Sequence, residues 1–103
     1  MAKTIIALFN LKPGASAQDY LAWARSVDIP TVNGLKSVDN FSAYAIEGVF
    51  GSDATPPYQY FEIINVNNMD GFLDEIGTDV MKKVAGEFQQ FTDDVIFLIS
   101  EGL

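Results

Sequence analysis

Glu62 and Asp28 are the two side chains whose surroundings in the sequence suggest proton-transfer chemistry. Glu62 lies in the middle of the apolar stretch PPYQYFEIINV, residues 56–66. A carboxylate among apolar neighbours is costly unless it is paired or hydrated, and desolvation raises the pKa of such a group into the range of a general acid or base. The alternative is structural, a buried ion pair with a lysine or arginine of the same chain or of a partner chain.

Asp28 stands immediately before Ile29 and Pro30 in the segment SVDIP. In a functional role it lines the mouth of a cavity and acts as a base or hydrogen-bond acceptor. In a structural role it caps a short helical turn that begins at Pro30, because aspartate is a favoured N-cap and proline a favoured first helical residue. The sequence leaves both roles open, and one residue can fill both. We therefore name Glu62 and Asp28 as the catalytic candidates.

Aromatic side chains with a polar atom, together with one asparagine, are the candidates for substrate binding. Most aromatic side chains belong to a core or an interface, but a hydroxyl or indole N–H that faces a cavity orients a planar substrate. The substrate-binding candidates are Asn10, Tyr20, Trp23, Tyr44, Tyr58 and Tyr60.

Two residue types that carry much enzyme chemistry are missing, since the chain has neither histidine nor cysteine. The commonest transition-metal ligand, the usual base near neutral pH and the thiolate nucleophile are thereby excluded. No glycine-rich phosphate loop and no Gly-x-Ser-x-Gly elbow occurs in the sequence. We expect no metal and no bound cofactor.

Size and charge limit the class of protein and its partners. The 103 residues predict a single domain over 1–103, and 49% hydrophobic residues suffice for a packed core. The formal net charge of −8 disfavours a nucleic-acid partner and an anionic membrane surface. The start, MAKTIIALFN, lacks the zones of a signal peptide, and with no cysteine in the chain we expect a reduced, cytoplasmic setting.

The pattern of apolar residues predicts the element order β-α-β-β-α-β. We predict strands over 3–11, about 35–50, 58–66 and 93–103, helices over 16–28, 67–77 and 78–91, and a short helical turn over 30–34. This order is typical of the α+β ferredoxin-like fold, an antiparallel sheet with both helices on one face.

The sheet face that carries no helices is predicted to be semi-apolar. On the first strand, Ile5, Ala7 and Phe9 are assigned to the helices. On the third strand, Phe61 and Ile63 are the more apolar set and are also assigned to the helices, which leaves on the uncovered face Tyr58, Tyr60, Glu62 and Ile64. A face of this kind is usually buried against a second copy or around a ligand.

Three segments resemble a known superfamily. The segment NLKPGASAQDYLAWARSVDIPTV is similar to the strand-turn-helix of dimeric α+β barrel proteins of the EthD and antibiotic-monooxygenase kind. Together with PPYQYFEIINVNNMDGF and VAGEFQQF, it resembles the RedY and HapK proteins of prodiginine-type pigment pathways.

The resemblance implies a homodimer whose two sheets form one barrel, with a cavity between sheet and helices in each subunit. Glu62 then points into the interior of the barrel. Many EthD-type chains carry a histidine after the tryptophan-containing helix, where this chain has Asp28. Asp28 could take the place of that histidine, but mechanisms that depend on an imidazole do not transfer.

Three functions follow as hypotheses, and the sequence does not decide whether the protein is an enzyme. The first is a cofactor-free protein of secondary metabolite biosynthesis that binds a planar aromatic or pyrrole-like intermediate and assists proton transfer in a lyase, cyclase, dehydratase or condensation step. The second is a carrier that binds such an intermediate without changing it. The third is a dimeric scaffold partner of a larger enzyme.

Overall fold

The computed structural model describes residues 2–103 and contains one sheet of four strands. Every pairing is antiparallel, and the spatial order is β2-β3-β1-β4. The strands are β1 Lys3–Leu11, β2 Val38–Ala45, β3 Tyr60–Val66 and β4 Thr92–Ser100. The predicted ferredoxin-like fold is confirmed. β2 and β3 are shorter than predicted, because residues 46–59 form a loop rather than extending both strands.

Three of the four α-helices of the described residues begin at a side-chain cap. The helices are α1 Ala17–Trp23, α2 Ile29–Asn33, α3 Met69–Ile76 and α4 Asp79–Phe91. Ser16, Asn68 and Thr78 each accept a hydrogen bond from a backbone N–H in the first turn of the helix that follows, which satisfies a donor that the helix itself leaves free. None of the helices within residues 2–103 is both long and apolar enough to cross a membrane.

The strand register shows which side of the sheet faces the helices. Ala7 of β1 pairs with Glu62 of β3, and directly opposed residues share a face. Ala7 is fully buried and Glu62 is 4% exposed. The helix-facing assignment on β1 is therefore correct and the burial of Glu62 is confirmed, whereas the faces assigned to β3 were wrong.

Every side chain of β3 therefore lies on the face opposite to the one predicted. Tyr60, Glu62 and Ile64 lie under the helices, while Phe61 and Ile63 lie on the opposite side. We name that opposite side the open sheet face. It comprises Ile6, Leu8, Tyr44, Phe61, Ile63, Ile96 and Leu98. Because both sides of this sheet carry large apolar residues, hydrophobicity alone could not indicate which side the helices cover.

The helix-facing side of the sheet carries two groups of packed side chains. One group centres on Ile5, Phe41, Ile64 and Val66, and α3 and α4 contribute to it. The other is an aromatic cluster around Phe9, whose further members are Tyr20, Trp23, Tyr60, Phe88 and Phe91. Glu62 lies on the strand that passes between the two groups.

An irregularity at the start of β4 gives a first testable prediction. The pairing of β1 with β4 shifts between Leu8 and Asn10, and nearby Asp94 has a φ of 54°. A β-branched residue is strongly disfavoured at positive φ. Asp94→Val should therefore lower the free energy of unfolding by about 1–2 kcal/mol. Urea denaturation measures this change.

The matched control is Asp93→Val, the same substitution at the neighbouring exposed position, which lacks a positive φ. Valine favours an extended strand there, so this variant should be neutral or slightly stabilising. Equal losses for the two variants would contradict a left-handed conformation at Asp94.

Candidate functional site

Two carboxyl groups meet beneath the helices. The side chains of Asp28 and Glu62 lie next to each other, close enough for a hydrogen bond to form between them, and the two residues are 5% and 4% exposed. A hydrogen bond between two carboxyl groups requires a proton on one of them. No N–H or hydroxyl group of the described residues donates to Glu62 Oε2, although this atom is buried. The pair is therefore a shared-proton site rather than half of an ion pair with a lysine or arginine.

A π-helical turn places Asp28 at this position. Residues Ala24–Asp28 continue from α1 in a wider turn, and the N–H of Ile29 bonds back to the carbonyl of Ala24. Pro30 follows at the start of α2 and has no N–H to contribute to the helical ladder. The Asp28 side chain makes no capping hydrogen bond, so the capping role that the sequence left open is not the one observed. Single π turns of this kind are frequent at functional sites.

Burial changes the acidity of both groups. Desolvation, followed by the charge of Asp28 and the hydrogen bond with it, raises the pKa of Glu62 to about 9. Desolvation also raises the pKa of Asp28 to about 6, with the hydrogen bond from Glu62 acting in the opposite direction. At neutral pH the pair accordingly holds one proton, with Glu62 neutral and Asp28 ionised. Two carboxyl groups with separated pKa values can serve as acid and base.

The carboxyl pair borders a cavity of about 450 Å³. This volume lies in the usual range of small-molecule sites. The sheet and the helices supply the lining residues Ile5, Asp28, Val32, Phe41, Glu62, Ile64, Met69, Phe72, Leu73, Ile76, Met81, Val84, Ala85, Phe88, Phe97 and Ile99. Leu73, Ile76, Phe97 and Ile99 are exposed, so they mark the side on which the cavity opens.

Tyr20 completes the polar group behind the cavity. Its side chain is 1% exposed, and its hydroxyl has no hydrogen-bond partner among the described residues. Burial first, and then the nearby charges of Glu62, Asp28 and Tyr60, raise the pKa of Tyr20 above its ordinary value. The hydroxyl therefore stays neutral and can donate a hydrogen bond, but it is a poorer proton donor than an ordinary tyrosine.

None of the six substrate-binding candidates is a lining residue of the cavity, and the five other than Tyr20 make contacts of their own. Asn10 holds the loop before β3, because its side chain donates to the Pro57 carbonyl at 3.2 Å and accepts from the Gln59 N–H at 2.9 Å. The Trp23 indole donates to Glu87 on α4 at 3.0 Å. Both interactions are structural.

The other three candidates are tyrosines. Tyr44 stacks on Phe61 at 4.7 Å on the open sheet face. Tyr60 stacks on Phe9 at 5.7 Å within the aromatic cluster, and Tyr58 is a half-buried loop residue. Of the aromatic candidates, the structure thus brings Tyr20 to the carboxyl pair and leaves the others elsewhere.

The apolar walls of the cavity were not recognised from the sequence as a binding surface. Met81, Val84 and Phe88 on α4 match the predicted apolar stripe of that helix, but a stripe does not reveal whether it meets another side chain or an empty space. The unbroken run VIFLI in β4 was the available signal. Such a run indicates a strand that is covered on both faces.

No three acidic side chains converge within residues 2–103 to form a metal-binding group. The absence of a metal and of a cofactor stays a prediction.

Comparison with known proteins identifies the family. A family model described as the REDY-like protein HapK matches residues 3–103. The chain belongs to the REDY-like HapK family. The resemblance inferred from the sequence motifs is thereby confirmed. A comparison with curated protein sequences finds no match.

Solved structures agree with this assignment. HapK from Hahella chejuensis is 27% identical, with a TM-score of 0.81 over 98% of this chain and 92% of that chain. An EthD-family protein from Bacillus halodurans is 14% identical, with a TM-score of 0.75 over 100% of both chains. A dimeric ferredoxin-like protein from Thermobifida fusca is 14% identical, with a TM-score of 0.74 over 96% of this chain and 89% of that chain. The latter two likenesses concern the fold alone.

Proposed function

We propose that this protein binds a planar aromatic or pyrrole-like intermediate of prodiginine-type metabolism in the cavity and assists proton transfer to and from it. Membership of the REDY-like HapK family supports the metabolic setting. One observation carries the chemical part, namely the buried, adjacent pair of Asp28 and Glu62 at the wall of an otherwise apolar cavity. Perturbed carboxyl groups in a cleft are typical of catalytic sites.

The pair can act as acid and base in one cycle. Neutral Glu62 donates its proton to one atom of the ligand, and ionised Asp28 accepts a proton from another. The proton shared between the two carboxyl groups then returns to Glu62, so the protein ends the cycle as it began. Tautomerisation, elimination of water after a condensation, and ring closure all require such a paired transfer. The apolar walls exclude water, which strengthens the interaction of the carboxyl groups with the ligand.

Binding is tested with 2-phenylindole and 2,2′-bipyrrole as probes, followed by NMR shifts of the cavity methyl groups. Ala85→Trp should block the cavity, because Ala85 lines it at an exposed position where a larger ring does not disturb the core. Val80→Trp is the control on the same helix, since Val80 is 63% exposed and is not a lining residue. Binding that Ala85→Trp leaves unchanged would contradict a ligand site in this cavity.

Proton transfer is tested by hydrogen–deuterium exchange at the ring carbons of 2,2′-bipyrrole in deuterated water. The wild type should accelerate the exchange, and Glu62→Gln should abolish the acceleration while retaining binding. Glu47→Gln removes a carboxylate from an exposed position and serves as the control. Binding without any acceleration would favour the second candidate function, a non-catalytic carrier of the intermediate.

We also propose that two copies form a homodimer through the open sheet face. The hypothesis of a dimeric scaffold partner depends on the same dimer. Leu98 on this face is 45% exposed in the single chain, and the adjoining Ile96 is 40% exposed. Such an apolar patch marks an interface, since a chain with a formal net charge of −8 would otherwise expose polar residues there. A stable homodimer of this kind buries about 1,200 Å² or more in total.

Leu98→Asp should convert the dimer to a monomer of 11.3 kDa, because it places a charge on the proposed interface. Val80→Asp is the control, since it adds the same charge at an exposed apolar position on the helical side. Sedimentation velocity at micromolar concentration distinguishes the two states. A monomeric wild type would contradict a dimer built on this face.

A further inference from the structure

The polar part of the cavity is acidic throughout. Asp28 and Glu62 are the only polar residues among the described residues that line it. None of the six lysine and arginine residues of the chain belongs to the lining. Tyr20 behind the pair is neutral, and the lining residues from α3, α4 and β4 carry no titratable group. A ligand in the cavity therefore meets carboxyl groups but no cationic donor.

The carboxyl pair carries an uncompensated negative charge. With one proton shared between two carboxyl groups, the site holds a single negative charge beneath the helices. A buried charge without a counter-charge is unfavourable, because the protein interior solvates it poorly. Glu62 Oε2 is buried and receives no hydrogen bond from any N–H or hydroxyl group of the described residues. The site thus has both an acceptor atom and a charge that a ligand can satisfy.

We infer that the cavity takes a ligand with a flat apolar body and a basic nitrogen, bound as its cation with the N–H group directed at Asp28 and Glu62. This inference rests on the proposed function, since it specifies the chemical class of the ligand in the same cavity. The cation supplies the missing counter-charge, and the flat body packs against apolar and aromatic walls that include Phe41, Phe88 and Phe97. A ligand whose polar end is a carboxylate is excluded by repulsion.

Three probes of one shape test the charge of the ligand. They are 2-naphthylmethylamine, 2-naphthylmethanol and 2-naphthoate, which present a cation, a neutral donor and an anion on the same ring. Titration calorimetry at pH 7 should show the amine binding at least about tenfold more tightly than the alcohol, because hydrogen bonds between charged groups are the stronger ones. The carboxylate should not bind measurably.

Two variants separate the charge from the hydrogen bond. Asp28→Asn leaves neutral Glu62 beside an amide, so the amine should lose its advantage while the alcohol still binds. Glu62→Gln leaves Asp28 ionised, so the amine should keep its advantage. Lowering the pH below about 6 should reproduce the Asp28→Asn result in the wild type, since the pKa of Asp28 is raised to about 6.

The outcomes distinguish a failure of the cation inference from a failure of the proposed function. Equal affinity for amine and alcohol, or tighter binding of naphthoate, overturns the inference and leaves the cavity standing as a ligand site. Failure of all three probes to bind contradicts the proposed function, and with it the inference. An amine preference that survives in Asp28→Asn but disappears in Glu62→Gln would also overturn the inference, because the charge would then reside on the other carboxyl group.

Discussion

Glu62→Gln should flatten the dependence of stability on pH. In the wild type, burial raises the pKa of Glu62 from 4.5 to about 9. The folded protein thus keeps a proton that the unfolded chain loses above about pH 4.5, so the stabilisation is complete below that pH and is lost as the pH rises towards 9. Each pH unit in this window lowers the free energy of unfolding of the wild type by about 1.4 kcal/mol. Between pH 6 and pH 8 the free energy of unfolding of the wild type should therefore fall relative to that of the variant by on the order of 3 kcal/mol.

The measurement is urea denaturation at a series of pH values and one protein concentration. Asp28 adds to the same trend at lower pH, because its pKa rises from 3.8 to about 6. Glu75 and Glu101 have lowered pKa values, so their contributions are lost only in more acidic solution and do not enter this window. Glu47→Gln, which removes an exposed carboxylate, should leave the slope unchanged. A slope that persists in Glu62→Gln would contradict a buried neutral Glu62.

Phe9→Ala should be the most destabilising single truncation in the aromatic cluster. The Phe9 side chain is completely buried, and its ring lies 4.9 Å from Phe88, 5.7 Å from Tyr60 and 5.8 Å from Tyr20. Removing a ring held on three sides leaves a void that the neighbours cannot fill. The expected loss is about 3–5 kcal/mol in the free energy of unfolding. Thermal and urea denaturation both report it.

Phe61→Ala is the matched comparison on the other side of the sheet. Phe61 is half-buried and stacks on Tyr44 on the open sheet face. The decrease in stability caused by Phe61→Ala should depend on protein concentration, because the truncation weakens the proposed dimer more than the subunit. If Phe9→Ala cost no more than about 1 kcal/mol, Phe9 would not be the centre of a packed cluster.

Local signals predicted the elements well. Ser16 before α1, Pro30 at the start of α2 and the apolar spacing of α4 each act within one or two helical turns, so their effects are legible in a short window of sequence. The ends of β2 and β3 were less well predicted. The 46–59 loop contains residues compatible with a strand, and their pairing depends on partners elsewhere in the chain.

The residues of the candidate site could be predicted from the sequence, but their arrangement could not. Glu62 and Asp28 were both identified from their apolar or helix-terminal surroundings, and the structure brings them together. Their mutual contact joins residues 34 positions apart, through a π turn that no propensity indicates. The face of Glu62 was assigned wrongly, because the register with Ala7 decides it and hydrophobicity does not.

The most direct test of the shared proton is a carbon-13 NMR titration of the side-chain carboxyl carbons in the wild-type protein. We expect Glu62 to titrate near pH 9 and Asp28 near pH 6, since their pKa values are raised to about 9 and about 6. Glu62→Gln and Asp28→Asn assign the two signals. Titration of both groups at their ordinary values of 4.5 and 3.8 would contradict a buried carboxyl pair that shares a proton.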